Sequence, residues 1–347
     1  MKRLAALFLG FLVTVAIGAE VDRARLLALS GSVLKIEATR AQGGYSLGSG
    51  VVVAPGSVVT NCHVTRDALK ITVIRGGARW LATSQRRDID HDLCLLDVPG
   101  LQAQAVPIGT TDRLKPGDQV SALGYTGGMA LQYSQGEVVA LHRLDGGRVI
   151  QSSNWFSSGA SGGGLFDEAS NLVGILTFRL RGSEAHYFAA PTEWLKATLD
   201  APTEPVQPDR SQRLSYWQRA VTNQPAFLQA ARMERDQRWP DLAALAADWT
   251  RADSHDAEAW CWMGEAFDHL ERPSEARRAL ECSLAIEPDA VAARSRLEAL
   301  YDRLGAAAPN TGNMASAEHE KSAITAVQTD SGLHPVCIAG AMAEPTR

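Results

Sequence analysis

Positive charge is in deficit in this chain of 347 residues: 34 Lys and Arg stand against 39 Asp and Glu, a formal net charge of −5. The broad positive field that holds nucleic acid by its phosphates is missing, so no nucleic-acid partner is expected. Cysteine is sparse too. Five cysteines are too few for a small disulfide-built scaffold, and the odd count leaves at least one thiol unpaired within the chain. Aromatic residues make up 6% and hydrophobic residues 45%, which excludes a disordered or fibrous chain. Long apolar runs are absent except at the start. Lys2 and Arg3 precede an apolar run from Leu4 to Ile17, followed by the small residues Gly18 and Ala19. That order predicts a secretory signal peptide over 1–19, cut after Gly18 or Ala19, the alternative being an uncleaved anchor. Export to the periplasm or beyond leaves no membrane span in the mature chain and permits disulfides.

Glycine is the other telling scarcity. Of 30 glycines, 23 lie between residues 20 and 200, whereas 201–305 holds only Gly264 and Gly305. The texture therefore changes from turn-rich to helical. In the first part, short aliphatic runs such as Ser32 to Ile36, Gly50 to Thr60, Asp92 to Val98 and Leu172 to Phe178 alternate with turns such as Pro55-Gly56 and Pro116-Gly117. Many short strands predict a sandwich or barrel. Residues 201–212, with Pro202, Pro205 and Pro208, read as an extended linker before a helical domain over 213–305. From Ala306 the residues are small and polar without period, so 306–347 is expected to be a disordered tail.

Within the helical part, Ala257 to Ala290 resembles a tetratricopeptide (TPR) repeat. Trp260, Met263, Gly264, Phe267, Ala276, Leu280, Ser283 and Pro288 fall on its pattern positions. Such modules bind protein or peptide partners, which is the partner this resemblance implies.

The chemistry is concentrated in three short stretches. Gly159-Ala160-Ser161-Gly162-Gly163-Gly164 sets a serine on a tight turn, where the N–H groups of Gly159 and Ser161 can converge on one point as an oxyanion hole. Val58-Val59-Thr60-Asn61-Cys62-His63 ends an apolar strand on a histidine, and Asp90-His91-Asp92-Leu93-Cys94-Leu95-Leu96 begins one with an aspartate. In the order His63, Asp92, Ser161, residues 31–197 resemble the trypsin-like serine peptidases, and most closely their HtrA-like bacterial branch. Gly48-Ser49-Gly50, Gln151 and Tyr187-Phe188-Ala189-Ala190-Pro191 belong to the same resemblance.

That resemblance implies a double six-stranded all-β barrel over 20–200, followed by the all-α TPR-like domain. It also implies hydrolysis of polypeptide substrates through an acyl-enzyme, with no metal or cofactor. Ser161 becomes the nucleophile, His63 the general base and Asp92 the carboxylate that orients it, while Gly159 and Ser161 supply the oxyanion donors. Asp88, Asp90 and Asp97 are rivals for the third role, but only Asp92 directly precedes the strand in the family's register. His91 is expected at the surface. Leu176, Thr177 and Phe178 would pair with an extended substrate.

The chain also departs from the family. Ala160 stands where Asn usually precedes the nucleophile, and Gly164 where Pro is usual. Trp155 and Phe156 stand at the base of the specificity pocket with no carboxylate to receive Lys or Arg. The pocket then takes an apolar side chain, or is filled by the rings and takes only a small one. Cys62 and Cys94 adjoin two triad members on neighbouring strands and are a candidate disulfide. Cys261 and Cys282, on opposing helices, are a second candidate pair, with Cys337 left over. The competing functional reading is a protease fold kept as a catalytically silent scaffold.

Overall fold

The computed structural model of the chain describes residues 26–180, 186–305 and 337. The signal peptide expected over 1–19 and the tail over 306–347 lie outside the described residues, apart from Cys337. Among the described residues no helix is long and apolar enough to cross a membrane. The chain divides into two compact units, the first ending at Arg219 and the second beginning at Ala220.

In the first unit, alternation of apolar and polar residues sets the strands. β1 (Val33–Arg40) buries Ile36 and Ala38 and leaves Lys35, Glu37 and Thr39 less covered. It pairs antiparallel with β2 (Tyr45–Ala54), where Ile36 faces Gly48, and with β4 (Ala68–Arg75), where Ile36 faces Val73. Pro55-Gly56 breaks the apolar run 50–60 into a hairpin, so β3 (Ser57–Asn61) folds back on β2. With β5 (Ala78–Leu81), β6 (Ser84–Asp88), β7 (Leu93–Asp97) and β14 (Glu204–Pro205), these form one sheet in the order β14-β6-β7-β3-β2-β1-β4-β5. The sheet is open at β14 and β5. This corrects the expected closed six-stranded first barrel: the short, largely exposed β5 pairs only with β4.

The second half closes fully. β8 (Gln119–Thr126), β9 (Ala130–Leu144), β10 (Gly147–Ser152), β11 (Gly164–Phe166), β12 (Leu172–Leu180) and β13 (His186–Pro191) form a barrel in the order β10-β13-β12-β11-β8-β9. Each half has its own core, Leu34, Ile36, Val58, Ile71 and Leu96 in the sheet and Ile150, Leu165, Val173 and Leu176 in the barrel. Burying each such side chain contributes about 1.5–3 kcal/mol.

Residues 201–219 do not form a free linker leading into helix. Glu204 and Pro205 pair with β6, Glu204 also meets Arg87, and the Asp209 N–H donates to the Arg66 carbonyl at 2.7 Å. The Tyr216 N–H donates to the Asp90 carbonyl at 2.9 Å. The strap therefore belongs to the first unit, and the boundary falls after Arg219 instead of at 212. Proline suits an edge strand as well as an extended linker, which is why composition alone misplaced it.

The second unit is a row of helices: α1 (Ala226–Arg235), α2 (Trp239–Ala252), α3 (Ala257–His269), α4 (Pro273–Ile286) and α5 (Val291–Leu304). Asp256 caps α3 by accepting from the Glu258 N–H, and Pro273 opens α4, where no intrahelical donor is needed. Gly264 is the contact point of α3 and α4, since a Cβ there would lie 2.6 Å from Leu280 Cγ. The Cys261/Cys282 pair is corrected: Cys282 bonds to Cys337, and Cys261 is a buried free thiol. Cys261 packs with Ala276, Leu280 and Leu297, whereas Cys282 packs with Ala279, Trp260 and Cys337 in a separate cluster, so the two sulfurs face different neighbours.

Candidate active site

β3 ends at Asn61, and a single helical turn, Cys62–Thr65, carries His63 out of the sheet. Asn61 is fully buried and its Nδ2 donates to the Asp92 carbonyl at 3.0 Å and to Thr177 Oγ1 at 3.2 Å. The Cys62 N–H also donates to the Asp92 carbonyl, at 3.2 Å. Held from both sides, Asp92 adopts a left-handed backbone (φ 62°) just before β7, which turns its carboxylate toward His63. The Cys62–Cys94 disulfide, Cα atoms 4.9 Å apart, ties the helical turn to β7.

The carboxylate grips His63 twice. Asp92 Oδ1 accepts from the His63 N–H at 2.8 Å, and Oδ2 lies 2.6 Å from Nδ1. Asp92 is 1% exposed. Burial pulls the His63 imidazole down, but the charge of Asp92 and its hydrogen bond outweigh that and hold the pKa above the ordinary 6.5. No described residue hydrogen-bonds Nε2, which is left to meet a proton donor.

Ser161 comes from the closed barrel, and Ser49 joins its turn to the open sheet. The Ser49 N–H donates to the Ser161 carbonyl at 2.7 Å, and Ser49 Oγ donates to the Gly159 carbonyl at 2.8 Å while accepting from the Tyr125 N–H at 2.7 Å. Gly127 N–H takes the Ser158 carbonyl at 2.7 Å, so the next N–H, that of Gly159, points away from it. Neither the Gly159 nor the Ser161 N–H has an acceptor among the described residues. Gly159 (φ 96°) tolerates nothing larger, because a Cβ would lie 2.6 Å from the Tyr125 carbonyl oxygen. Gly164 has a reason as well: a Cβ there would lie 2.5 Å from the Phe166 ring. Ser161 Oγ donates to the Thr177 carbonyl at 3.2 Å, and no hydrogen bond joins it to His63.

β11 pairs with β12 only as far as Ile175. Leu176 still bonds the serine turn through Gly162 and Gly163, and beyond it one edge of Thr177–Phe178 carries no strand among the described residues. Phe156 is buried against Tyr187 (centroids 5.1 Å apart), and with Ala160, Leu176 and Gly124 it lines a small recess. Trp155 touches the same recess but is 48% exposed, so it stands at the rim and not at the base.

Several residues escaped sequence reasoning. His91, expected at the surface, is largely covered, with Nδ1 2.7 Å from Asp88 Oδ2, Nε2 3.2 Å from Asp145 Oδ2 and its ring stacked on Trp194. The segment is a turn there, so strand alternation does not apply. Trp217, from the strap, donates its Nε1–H to Asp92 Oδ2 at 3.0 Å, sets its ring edge-on to His63 and stacks on Phe178. Trp217 and Asp92 are 125 residues apart, and no local pattern connects them. Among the described residues no group of His, Cys, Asp and Glu is placed to hold a metal ion.

Residues 48–175 match the family model of the trypsin-like peptidase domain. The chain is 34% identical over 159 residues to the periplasmic pH-dependent serine endoprotease DegQ of Escherichia coli, covering 42% of this chain and 35% of that protein. It is 30% identical over 163 residues to the probable periplasmic serine endoprotease DegP-like of Chlamydia pneumoniae, 44% of this chain and 33% of that protein. The chain thus spans about a third of the length of these curated relatives. Among solved structures, the Rv3671c protease from M. tuberculosis in its active form aligns with a TM-score of 0.50 and 25% identity, over 55% of this chain and 88% of that one. Over residues 48–175 the first unit is thus similar to trypsin-like peptidase domains, and the similarity extends to periplasmic serine endoproteases of the DegP and DegQ kind.

Proposed function

We propose that the chain is an exported serine endopeptidase. Ser161 Oγ attacks the scissile carbonyl, His63 Nε2 takes the Oγ proton and returns it to the leaving amine, and water then releases the acyl group by the same path. Asp92 fixes the tautomer that carries its proton on Nδ1 and stabilises the imidazolium. The N–H groups of Gly159 and Ser161 receive the oxyanion, each worth about 3–4 kcal/mol where such donors have been removed singly. One observation carries the reading: Asp92 holds His63 by both the main chain and Nδ1 and leaves Nε2 unbonded, while the Gly159 and Ser161 N–H groups of the serine turn have no acceptor among the described residues. A serine-directed fluorophosphonate probe tests it. Labelling lost in Ser161→Ala supports the enzyme, and a wild type that takes no label under any condition, candidate peptides included, rejects it.

The substrate runs along the uncovered edge of Thr177 and Phe178 as an added strand. With Phe156 filling the recess from below and no carboxylate in its lining, the side chain before the cleaved bond is short and apolar. Profiling on a peptide library checks this preference. Residues 1–19 serve as the export signal, in keeping with the periplasmic relatives. The helices after Ala220 form a TPR-like module that recruits substrates or partners, supported by the Gly264–Leu280 contact at the pattern's close-approach position.

The silent-scaffold reading has one observation in its favour, the donation of Ser161 Oγ to the Thr177 carbonyl instead of to His63. Such bonds often tighten only when substrate is bound. The same labelling experiment separates the two readings.

A further inference from the structure

The oxygen of Asp92 that faces the imidazole has a second donor from outside the peptidase strands. Thr177 Oγ1, the nearest hydroxyl on β12, gives its proton to the Ile175 carbonyl at 2.7 Å and accepts from Asn61 and the Ala190 N–H. It is therefore turned away from the carboxylate. Trp217 Nε1 supplies the bond to Oδ2 instead, at 3.0 Å.

The half-buried indole is held by several contacts. Its ring lies parallel to Phe178 (centroids 4.9 Å apart, planes 7° apart), and Phe178 is itself stacked on Phe188. Its edge meets the His63 ring at 5.5 Å and 83°. The next residue back, Tyr216, is buried between Phe178 and Trp194. Outside, Arg213 and Arg219 both reach Asp90, and Arg66 donates to the Arg213 carbonyl. That much anchoring fixes a side chain well enough to orient another group.

We propose that Trp217 is a positioning residue for the triad, its indole N–H holding Asp92 in register with His63 and its ring walling the cleft beside Phe178. The inference rests on the peptidase reading. An extended substrate on Thr177–Phe178 runs past the touching indole and His63 rings, so the second residue on the acyl side meets the indole and is selected for apolar bulk. Removing the donor leaves the negative charge of Oδ2 unshared by the indole N–H, so its attraction holds the proton on His63 more firmly. The other charged groups facing this site are Arg66, Arg87 and Asp209, which line the recess beside His63 and Asp92, and the neutral, buried Tyr216 hydroxyl is a further titratable group near Asp92. They are unchanged by a substitution at 217.

The test compares the full chain with Trp217→Phe, which keeps the stack on Phe178 but loses the donor, and with Trp217→Ala, which loses both. The His63 ring is titrated by NMR, and kcat and KM are measured across pH on peptides differing at the second acyl-side residue. Trp217→Phe is expected to raise the His63 titration and the acid limb of kcat/KM by about half to one pH unit. It should lower kcat about tenfold to a hundredfold, as for loss of a hydrogen bond to a charged group, with little change in KM. Trp217→Ala adds a rise in KM confined to peptides with a large apolar residue at that position. A Trp217→Phe variant whose rate falls with no shift in His63, or whose titration and kcat match the wild type, overturns the proposal. Failure of the peptidase reading shows separately, as absence of Ser161-dependent labelling in the wild type, and the NMR titration still decides the Asp92 contact.

Discussion

Two histidines in the barrel unit are gripped by carboxylates in almost the same way. His63 receives Asp92 at its main-chain N–H (2.8 Å) and at Nδ1 (2.6 Å), and His91 receives Asp88 at its N–H (3.3 Å) and at Nδ1 (2.7 Å). In both, burial pulls the imidazole pKa down and the carboxylate more than offsets it. The second nitrogen separates them. His63 Nε2 is unbonded, whereas His91 Nε2 lies 3.2 Å from Asp145, and its ring is sandwiched on Trp194. A general base needs a lone pair with a proton within reach. His91 Nε2 already faces the Asp145 carboxylate, so His91 bridges β6 to the turn after β9, and a His–Asp pair alone does not mark a catalytic site.

The sharpest way to break the comparison is to remove each histidine. His63→Ala is expected to lower kcat by about 10⁵- to 10⁶-fold, as when a base acting in concert with its nucleophile is lost. His91→Ala should leave turnover near that of the parent, measured with the same peptide at the same pH. A large loss in His91→Ala would erase the distinction.

Next in size is the carboxylate. Asp92→Asn keeps the shape but presents an amide to Nδ1 and favours the wrong tautomer, costing about 10⁴-fold in kcat. Asp88→Asn, the matching change beside His91, should cost no activity. Gly159→Ala follows, because the Cβ would press on the Tyr125 carbonyl and displace an oxyanion donor. It is expected to lose about 10²- to 10³-fold in kcat, with probe labelling slowed in parallel.

How much of this was legible in the sequence depends on whether the signal was local. β1, β7 and β12 show their apolar runs directly, and the turn at Pro55-Gly56 needs only two residues. β6 was hidden because Ser84-Gln85-Arg86-Arg87-Asp88 has no apolar alternation, although Gln85 is fully buried in it. The Asp92–His63 contact was readable because each of the two residues sits at the end of a short apolar strand in a recognisable local stretch. Trp217 was not, since it arrives from 125 residues away on a strap that composition assigns to another domain. Cysteine pairing failed for the same reason at Cys282, whose partner Cys337 follows 55 residues later, outside the helical pattern.

The disulfide beside His63 and Asp92 offers a smaller effect, on stability alone. Reducing Cys62–Cys94, or replacing both by Ser, releases a loop spanning 32 residues and should cost about 2–4 kcal/mol in denaturant unfolding. Turnover below the unfolding midpoint should persist, because neither sulfur touches the reacting groups.

The smallest effect is the one that best sharpens the contrast, because it turns on His91 alone. Its folded-state pKa lies above 6.5, raised by Asp88 and Asp145 against burial. A group raised in the folded state binds its proton more tightly there than when unfolded. Its contribution to stability is therefore full below about pH 6.5 and is lost as pH rises through the folded value. His91→Gln removes that contribution and leaves Asp88 and Asp145 without the cation between them. The variant should melt below the parent near pH 5, with the gap closing toward pH 8 or above. His63 is raised too and contributes with the same sign in both proteins, so the difference between the two melting curves isolates His91. A gap that widens with pH would mean that His91 is held neutral, and that the two carboxylates do not share its charge.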